Sequence, residues 1–321
     1  ILPFFLIFVK ITNNILKNEQ IFGIPLILYM ALALNIDIEK SSSMVVIYDQ
    51  IFSLKRGGIY DRNYDKEHRI NLPEIKEHIH RISQRIAFWM FENNADKASI
   101  SQEKFKEICD IEMNEAKGKN EDIQRDVLIG NYFAPIKYCE GVWTDKLQFV
   151  HRSIYEYFVA IYFFESIYNL TSKEEVAGKL GELLKDGHLS EQILEFIKYK
   201  FDSIKGFNLP DIIKEIFNIM LKDGMTYHIG ELYKNAIERE RNIFSNMLEV
   251  VGLWNSPLEK FDKRIIIYLQ CNREKTLNLC GIQLGKKAID MEVVDLSRTD
   301  LCGANLRGAD LSGTFLFLTD L

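Results

Sequence analysis

His151 is the residue whose place in the sequence best suits it to bind a ligand. It follows a short strand-like run, residues 146–150, and opens a long aromatic-rich helix predicted over residues 151–168. At a helix start the first backbone N–H groups lack partners within the helix, and the helix dipole favours negative charge. An imidazole there suits an oxyanion such as phosphate, which would in turn favour the protonated ring. The alternative is that His151 caps its own helix or is a hydrogen-bonded core group.

No other arrangement of residues in the sequence suggests catalysis. There is no G-x-x-x-x-G-K-[ST] motif, which would cradle nucleotide phosphates, and no nucleophile-elbow motif. His78 and His80 are two residues apart on a predicted helix, so they point to different faces and cannot easily share a metal ion. We therefore predict no catalytic residues and no metal site, and we expect that this chain alone is not an enzyme.

The elements that must position His151 are mostly helical. A β-hairpin is predicted from residues 134–140 and 146–150, joined through Gly141. Several helices, then a hairpin, then one more helix is the layout of a winged-helix domain. Ser99 or Ser101 is expected to cap the helix that runs through Cys109, and Ser99 with Gln102 fits a capping box better. Residues 1–35 are predicted to form two helical stretches around residues 22–25, the second of them over 26–34. Further helices are predicted at residues 44–54, 73–91, after the Ser99 or Ser101 cap to 109, and at 121–131, 151–168, 172–184, 190–204, 210–221 and 227–251.

The last part of the sequence has a five-residue period. Leucines recur at Leu296, Leu301, Leu306, Leu311, Leu316 and Leu321. Asp or Asn precedes most of them, and a small or β-branched residue lies two positions before each. Neither a helix nor a strand has this period. The pattern resembles the pentapeptide-repeat family, which implies a right-handed quadrilateral β-helix. Its role is open between a structural spacer and a ligand-sensing surface.

Two segments resemble parts of NACHT-type NTPases of the signal-transducing STAND class. Residues 149–160, FVHRSIYEYFVA, are similar to the F-x-H-x-[ST]-x-x-E-[YF]-x-A segment at the end of that family's winged helix. Residues 23–28, GIPLIL, are similar to the G-x-P-L segment of the helical domain that follows its NTPase core. The two segments lie in the family's order along the chain.

This resemblance implies a role for two residues in nucleotide binding. In that family the proline of the second segment packs against the adenine base, and the histidine of the first reaches the nucleotide phosphates. Those roles would fall on Pro25 and His151. Pro25 also fits a simple helix start, because proline lacks the N–H that would be unpaired there. Glu156 is expected to pair with a neighbouring Arg or Lys rather than to do chemistry.

Composition and chain ends fit a larger intracellular protein. The five scattered cysteines suit a reducing cytosol better than disulfides or a zinc site, so we expect a cytoplasmic location. The net charge of −6 argues mildly against non-specific nucleic-acid binding and leaves a local basic face open as an alternative. No run is long and apolar enough to cross a membrane. The chain begins with Ile1 and stops within a repeat, so both ends are expected to be cut.

We therefore predict a mainly α fold with four parts. These are the end of an NTPase-associated helical domain (1–40), a winged-helix domain with a β-hairpin (41–170), an α-helical domain (171–270), and the start of a quadrilateral β-helix (271–321).

The functional hypothesis is the regulatory part of a nucleotide-dependent switch, whose winged helix closes over ADP or ATP held by an absent NTPase core. The resemblance implies that the full-length parent is an ATPase and suggests a role in bacterial defence, with protein partners or self-oligomerisation. One alternative is a structural or protein-binding pentapeptide-repeat scaffold. The other is a winged-helix DNA-binding regulator, which needs a basic recognition helix. The candidate, residues 101–110, instead sets Lys104 and Lys106 against Glu103, Glu107 and Asp110.

Overall fold

The computed structural model of this chain describes parts of most predicted elements. The described residues are 25–34, 36, 44–54, 58, 72–94, 98–115, 133–139, 142–170, 172–187, 189–204, 209, 212–213, 243, 246–247, 249–250, 277–278 and 299–300. The predicted helix at 121–131, the larger part of those at 210–221 and 227–251, and all but four residues of the predicted β-helix lie outside them.

The described part of the chain is mainly helical, as predicted. The helices are α1 Pro25–Ala33, α2 Met44–Ile51, α3 Leu72–Asn94, α4 Gln102–Glu115, α5 Arg152–Tyr168, α6 Lys173–Leu184 and α7 Glu191–Asp202. Apart from α4, which runs six residues further than predicted, each helix ends within three residues of its predicted bounds.

Two compact units make up the chain. One comprises residues 1–87 and 98–158, and the other comprises residues 88–97 and 159–321. The divisions therefore fall inside α3 and inside α5. We call these the first and the second unit. The domain boundaries predicted after residues 40, 170 and 270 stay predictions.

A three-stranded antiparallel sheet lies in the first unit. Its strands are β1 Ser99–Ser101, β2 Phe133–Cys139 and β3 Val142–Phe149, in the spatial order β1-β3-β2. The hairpin of β2 and β3 confirms the prediction, and its first residue pair joins Phe133 to Phe149. Strand β1 was not predicted, and it pairs with β3 through Ile100 opposite Leu147.

Strand β1 corrects the predicted start of α4. Ser99 lies in the strand and pairs with Gln148, so it does not cap the helix. Ser101 is the cap, because its Oγ accepts a hydrogen bond from the backbone N–H of Lys104 at 3.2 Å. The prediction that favoured Ser99 and Gln102 is wrong because the pairing with β3 draws Ser99 into the sheet.

Aromatic side chains fill the core of the first unit. Phe52 of the turn after α2 stacks on Tyr157 and also contacts Phe158, both of α5, with ring centroids 5.3 and 5.0 Å apart. Phe158 in turn contacts Phe149 at the end of β3, at 6.0 Å. Tyr157 and Phe158 are both buried. The start of α5 is thus packed against both α2 and the sheet.

In the second unit, side chains of Ser and Asn hold the helix ends. Ser172 and Glu175 form a capping box at the start of α6, and Ser190 caps α7. Asn246 is buried, and its Nδ2 donates to the carbonyls of Leu184 and Gly187 at 2.9 and 2.7 Å. Its Oδ1 accepts from the N–H of Leu189 at 3.5 Å. This one side chain therefore hydrogen-bonds three backbone groups, at the last residue of α6, at Gly187 and at Leu189.

Near the C-terminus two short strands pair in parallel. β4 Leu277–Asn278 pairs with β5 Thr299–Asp300, so that Asn278 lies opposite Asp300. The partners are 22 residues apart (299 minus 277), close to the roughly 20 residues that four stacked pentapeptides would span. The pairing places Asn278, which precedes Leu279, opposite Asp300, which precedes Leu301 of the leucine series.

Candidate functional site

His151 lies in the bend between β3 and α5, with its ring half-exposed. Its Nδ1 accepts a hydrogen bond from the backbone N–H of Ser153 at 3.2 Å, and its carbonyl accepts from the N–H of Ile154 at 3.1 Å. His151 is therefore the N-cap residue of α5, with Ser153 at the second helical position. The alternative that His151 caps its own helix is confirmed. That cap uses only one edge of the ring.

A chain of hydroxyl groups leads from this cap into the core. The Oγ of Ser153 lies 2.5 Å from His151 Nδ1 and also hydrogen-bonds the hydroxyl of Tyr48 on α2. Tyr48 is fully buried and Ser153 is 5% exposed. We call these three side chains the Tyr48–Ser153–His151 relay. Its inner end is closed off from water, and its outer end is an imidazole at the surface.

The proton positions in the relay follow from its donors. A backbone N–H can only donate, so the Nδ1 that accepts from Ser153 must carry a lone pair. The neutral ring then bears its proton on Nε2. Among the described residues, no hydrogen bond to Nε2 is formed. This edge of the ring is therefore a donor that a ligand can use.

Burial sets the protonation of both ends of the relay. It lowers the pKa of His151 below the usual value, and the nearby carboxylate of Glu156 partly offsets this effect. Burial also raises the pKa of the Tyr48 hydroxyl, which the Ser153 hydrogen bond partly offsets and Glu156 reinforces. The resting state is a neutral imidazole and a protonated phenol.

Two acidic side chains beside the relay, Glu156 and Asp49, bond residues of α5. The carboxylate of Glu156 pairs with Arg152 one turn earlier on α5, at 3.2 Å, as the sequence predicted. The hydroxyl of Tyr157 donates to Asp49 Oδ1 at 2.9 Å, which adds a second polar tie between α2 and α5. Tyr48 and Tyr157 also contact each other through their rings at 5.5 Å.

Pro25, the other predicted site residue, is the first residue of α1. This matches its predicted place at a helix start, while Gly23 and Ile24 lie outside the described residues. Helix α1 contacts α2, and α2 carries Tyr48 and Asp49, which bond α5. The helix that begins at Pro25 and the helix that His151 caps therefore both contact α2. The nucleotide roles of Pro25 and His151 stay predictions.

Sequence reasoning did not single out Ser153 or Tyr48. The signal for Ser153 was available, since a hydroxyl two residues after a helix-opening histidine is placed to reach the same N-cap. Tyr48 lies 105 residues from Ser153 along the chain. No local pattern connects residues so far apart.

Other chemically interesting side chains do not assemble into a site. Within the described ranges no three His, Cys, Asp or Glu residues are placed to hold a metal ion. His80 is buried in a T-shaped ring contact with Phe158, and Cys109 is buried and forms no disulfide with the described residues. Burial raises the pKa of Glu249, in the second unit, to about 8. This carboxyl is therefore mostly protonated at neutral pH.

The surface of α4 carries mixed charge. Lys104 pairs with Glu107 at 2.7 Å, while Glu103 and Lys106 are both exposed. Buried Glu112 on the same helix pairs with Arg85 of α3. A lysine already paired with a glutamate contributes little to a cationic field.

No helix in the part of the chain that the structure describes has the length and apolar character needed to cross a bilayer.

Comparison with known proteins identifies the C-terminal segment. A family model described as pentapeptide repeats (8 copies) matches residues 294–321. This confirms the predicted repeats, from Val294, two positions before Leu296, to Leu321, the last leucine of the series. No curated protein matches the chain, and no solved structure matches it.

Proposed function

We propose that this chain is the regulatory part of a nucleotide-dependent switch of the NACHT-like STAND class. In this proposal its winged helix closes over ADP or ATP bound by an NTPase domain outside this sequence. The observation that carries the proposal is the state of His151. Its Nδ1 is engaged by the start of α5, so its Nε2–H is left to donate to a phosphate oxygen.

The winged-helix part of the proposal draws support from the order of elements. Helix α3, strand β1, helix α4 and the β2–β3 hairpin follow one another, with β3 in the centre of the sheet. Helices followed by a closing hairpin are the layout expected of a winged-helix domain, and β1 adds a third strand to that hairpin. Residues 116–132, between α4 and β2, lie outside the described residues.

The family assignment rests on the motif around His151 and the segment around Pro25. The matched family model covers residues 294–321, which lie outside both. Physically, a lid of this kind holds ADP until an activating event favours the open form. A ligand shifts such an equilibrium only by its difference in affinity for the two forms, and each tenfold difference is worth about 1.4 kcal/mol. His151 would supply part of that difference.

Nucleotide content of the full-length protein tests this proposal. His151→Ala should reduce the ADP or ATP that co-purifies, because the phosphate loses a hydrogen-bond donor and α5 loses its cap. His78→Ala is the matched control, since His78 is also half-exposed but lies in the interior of α3. Nucleotide released by denaturation is quantified by chromatography. Equal content in the wild type and both variants would refute the proposed role of His151.

A scaffold function is the second candidate, and the repeats favour it. Residues 294–321 match the pentapeptide-repeat family, and β4 pairs with β5 in parallel as stacked coils do. Such a coil would present outward side chains to a protein partner or to a second copy of the chain. In this reading the relay at α5 only stabilises the fold, and His151→Ala leaves nucleotide content unchanged.

The remaining parts of the proposal follow from the family alone. The full-length parent would be an ATPase in the cytoplasm, acting in bacterial defence. Nucleotide would reach this chain only through the NTPase domain, so the chain by itself needs no cofactor. A DNA-binding regulator is disfavoured by the paired charges on α4.

A further inference from the structure

The Tyr48–Ser153–His151 relay is more elaborate than a helix cap requires. The backbone N–H of Ser153 alone would suffice to engage Nδ1 of His151. The structure adds a buried serine hydroxyl in contact with the same nitrogen and a buried tyrosine hydroxyl behind it. Both hydroxyls lie in low-dielectric surroundings, where their orientation has a large energetic effect.

The relay has a preferred direction. Nδ1 of His151 is an acceptor, so the Ser153 hydroxyl uses its one proton on that nitrogen, and the Tyr48 hydroxyl is then the donor in its bond with Ser153 Oγ. The hydroxyl proton of Ser153 is then directed at the lone pair of His151 Nδ1. A protonated Nδ1 would face the backbone N–H and the hydroxyl proton of Ser153 at once, which disfavours it.

We propose that the hydroxyls of Tyr48 and Ser153 are positioning groups that reinforce, beyond the backbone N–H of Ser153, the Nε2–H tautomer of His151, so that the other edge of the half-exposed ring offers one donor to an oxyanion. The identity of that oxyanion as a nucleotide phosphate rests on the proposed function. The fixed tautomer is a property of this chain itself and does not depend on the proposed function.

This tautomer restricts what the ring can bind. A metal ion needs a nitrogen lone pair, and here the lone pair lies on Nδ1, which faces Ser153. The outer nitrogen carries a proton and can only donate. The site therefore accepts a phosphate oxygen and rejects a divalent cation. Of the charged neighbours, Glu156 pairs with Arg152 and only partly offsets the lowering of the His151 pKa by burial, and Asp49 accepts from Tyr157.

Nitrogen NMR of the histidine rings in the 321-residue chain tests the tautomer directly. In the wild type, Nδ1 of His151 should show the shift of an unprotonated nitrogen and Nε2 that of a protonated one. Tyr48→Phe frees the Ser153 hydroxyl to turn and accept from a protonated Nδ1. The pKa of His151 should then rise by about half a unit or more. Ser153→Ala, which removes the hydroxyl donor, should raise it in the same direction.

Tyr157→Phe is the matched control for Tyr48→Phe. It removes one hydroxyl from the same aromatic cluster and the same α2–α5 junction, but that hydroxyl bonds Asp49 rather than Ser153. The pKa of His151 should stay at its wild-type value. If His151 is protonated on Nδ1 in the wild type, or if both tyrosine variants shift its pKa equally, the positioning role is refuted.

Nucleotide retention separates this inference from the proposed function. In the full-length protein, Tyr48→Phe and Ser153→Ala should each retain several-fold less ADP than Tyr157→Phe. If the NMR results are as expected while His151→Ala retains ADP normally, the tautomer assignment holds and the nucleotide role falls. If His151→Ala loses ADP but neither hydroxyl variant changes the ring, the proposed function holds and the positioning role falls.

Discussion

Two polar networks, one in each unit, differ in whether they are complete. In the second unit, buried Asn246 uses both amide hydrogens and its oxygen on the backbone of the α6–α7 loop. In the first unit, the relay begins at buried Tyr48 and ends at a half-exposed imidazole whose Nε2 makes no hydrogen bond with the described residues. A complete network stabilises the fold, whereas one that ends at the surface with an unused donor also suits a ligand.

Removing the side chain of Asn246 should cause the largest decrease in the free energy of unfolding. Asn246→Ala leaves the buried carbonyls of Leu184 and Gly187 and the N–H of Leu189 without this partner. The expected cost in free energy of unfolding is about 3 kcal/mol. Asn93→Ala is the control, because Asn93 is exposed and donates only to the Trp89 carbonyl of its own helix. It should cost less than about 0.5 kcal/mol. Denaturant titration gives both values, and similar costs would show that the Asn246 network is not structural.

Two glycines of the second unit should respond in opposite directions to alanine. A Cβ at Gly187 would overlap the ring of Phe91, which is buried and cannot move aside easily. Gly187→Ala should therefore destabilise the protein by about 2 kcal/mol. Gly178 lies inside α6, where a Cβ meets nothing within 4 Å. Gly178→Ala should stabilise the protein by about 0.5–1 kcal/mol. Thermal unfolding midpoints that fall in both variants would contradict this account of the α6–α7 region.

Loss of the Tyr48–Ser153–His151 relay at His151 should lower the free energy of unfolding by a smaller amount, and that amount should depend on pH. In the folded state burial lowers the pKa of His151 and keeps the ring neutral, while in the unfolded chain the pKa of this residue is about 6.5. Its contribution to stability is therefore full above pH 6.5 and is lost as the pH falls through the folded pKa. His151→Ala should cost about 1 kcal/mol at pH 7, as for other N-caps. The cost should shrink by a few tenths of a kcal/mol at pH 5, because the ring is half-exposed.

Ser190→Ala supplies the control for this pH dependence. Ser190 caps α7 through its Oγ, which accepts from the N–H of Ile193 at 3.3 Å and does not titrate. Its cost should be the same at pH 5 and pH 7. A cost of His151→Ala that is constant or larger at pH 5 would mean that the folded state does not favour the neutral ring.

The sequence predicted local structure better than the networks. The β2–β3 hairpin and α5 were predictable because alternation and helical periodicity are properties of neighbouring residues. Strand β1 was missed because three residues, Ser99–Ser101, become a strand only by pairing with β3, more than 40 residues later. The same strand moved the helix cap from Ser99 to Ser101. Both errors arise because the contacts that form strand β1 are between residues far apart in the sequence, and local propensity cannot predict such contacts.

For the candidate site, the position of His151 between strand and helix was predictable, and its partners were not. Ser153 lies two residues away and could have been named from the N-cap geometry. Tyr48 and Asn246 act on residues more than 50 positions distant, so only the folded structure reveals them. The leucine period at the C-terminus was fully readable, because a repeat carries its structure in its own spacing.

The rate at which ADP leaves the full-length protein tests the central claim most directly. If His151 donates from Nε2 to a phosphate oxygen, His151→Ala should release ADP about 10 to 100 times faster than His78→Ala, the range expected for loss of a hydrogen bond to a charged group. Equal release rates in the two variants, measured by displacement of a fluorescent ADP analogue, would contradict the role assigned to His151.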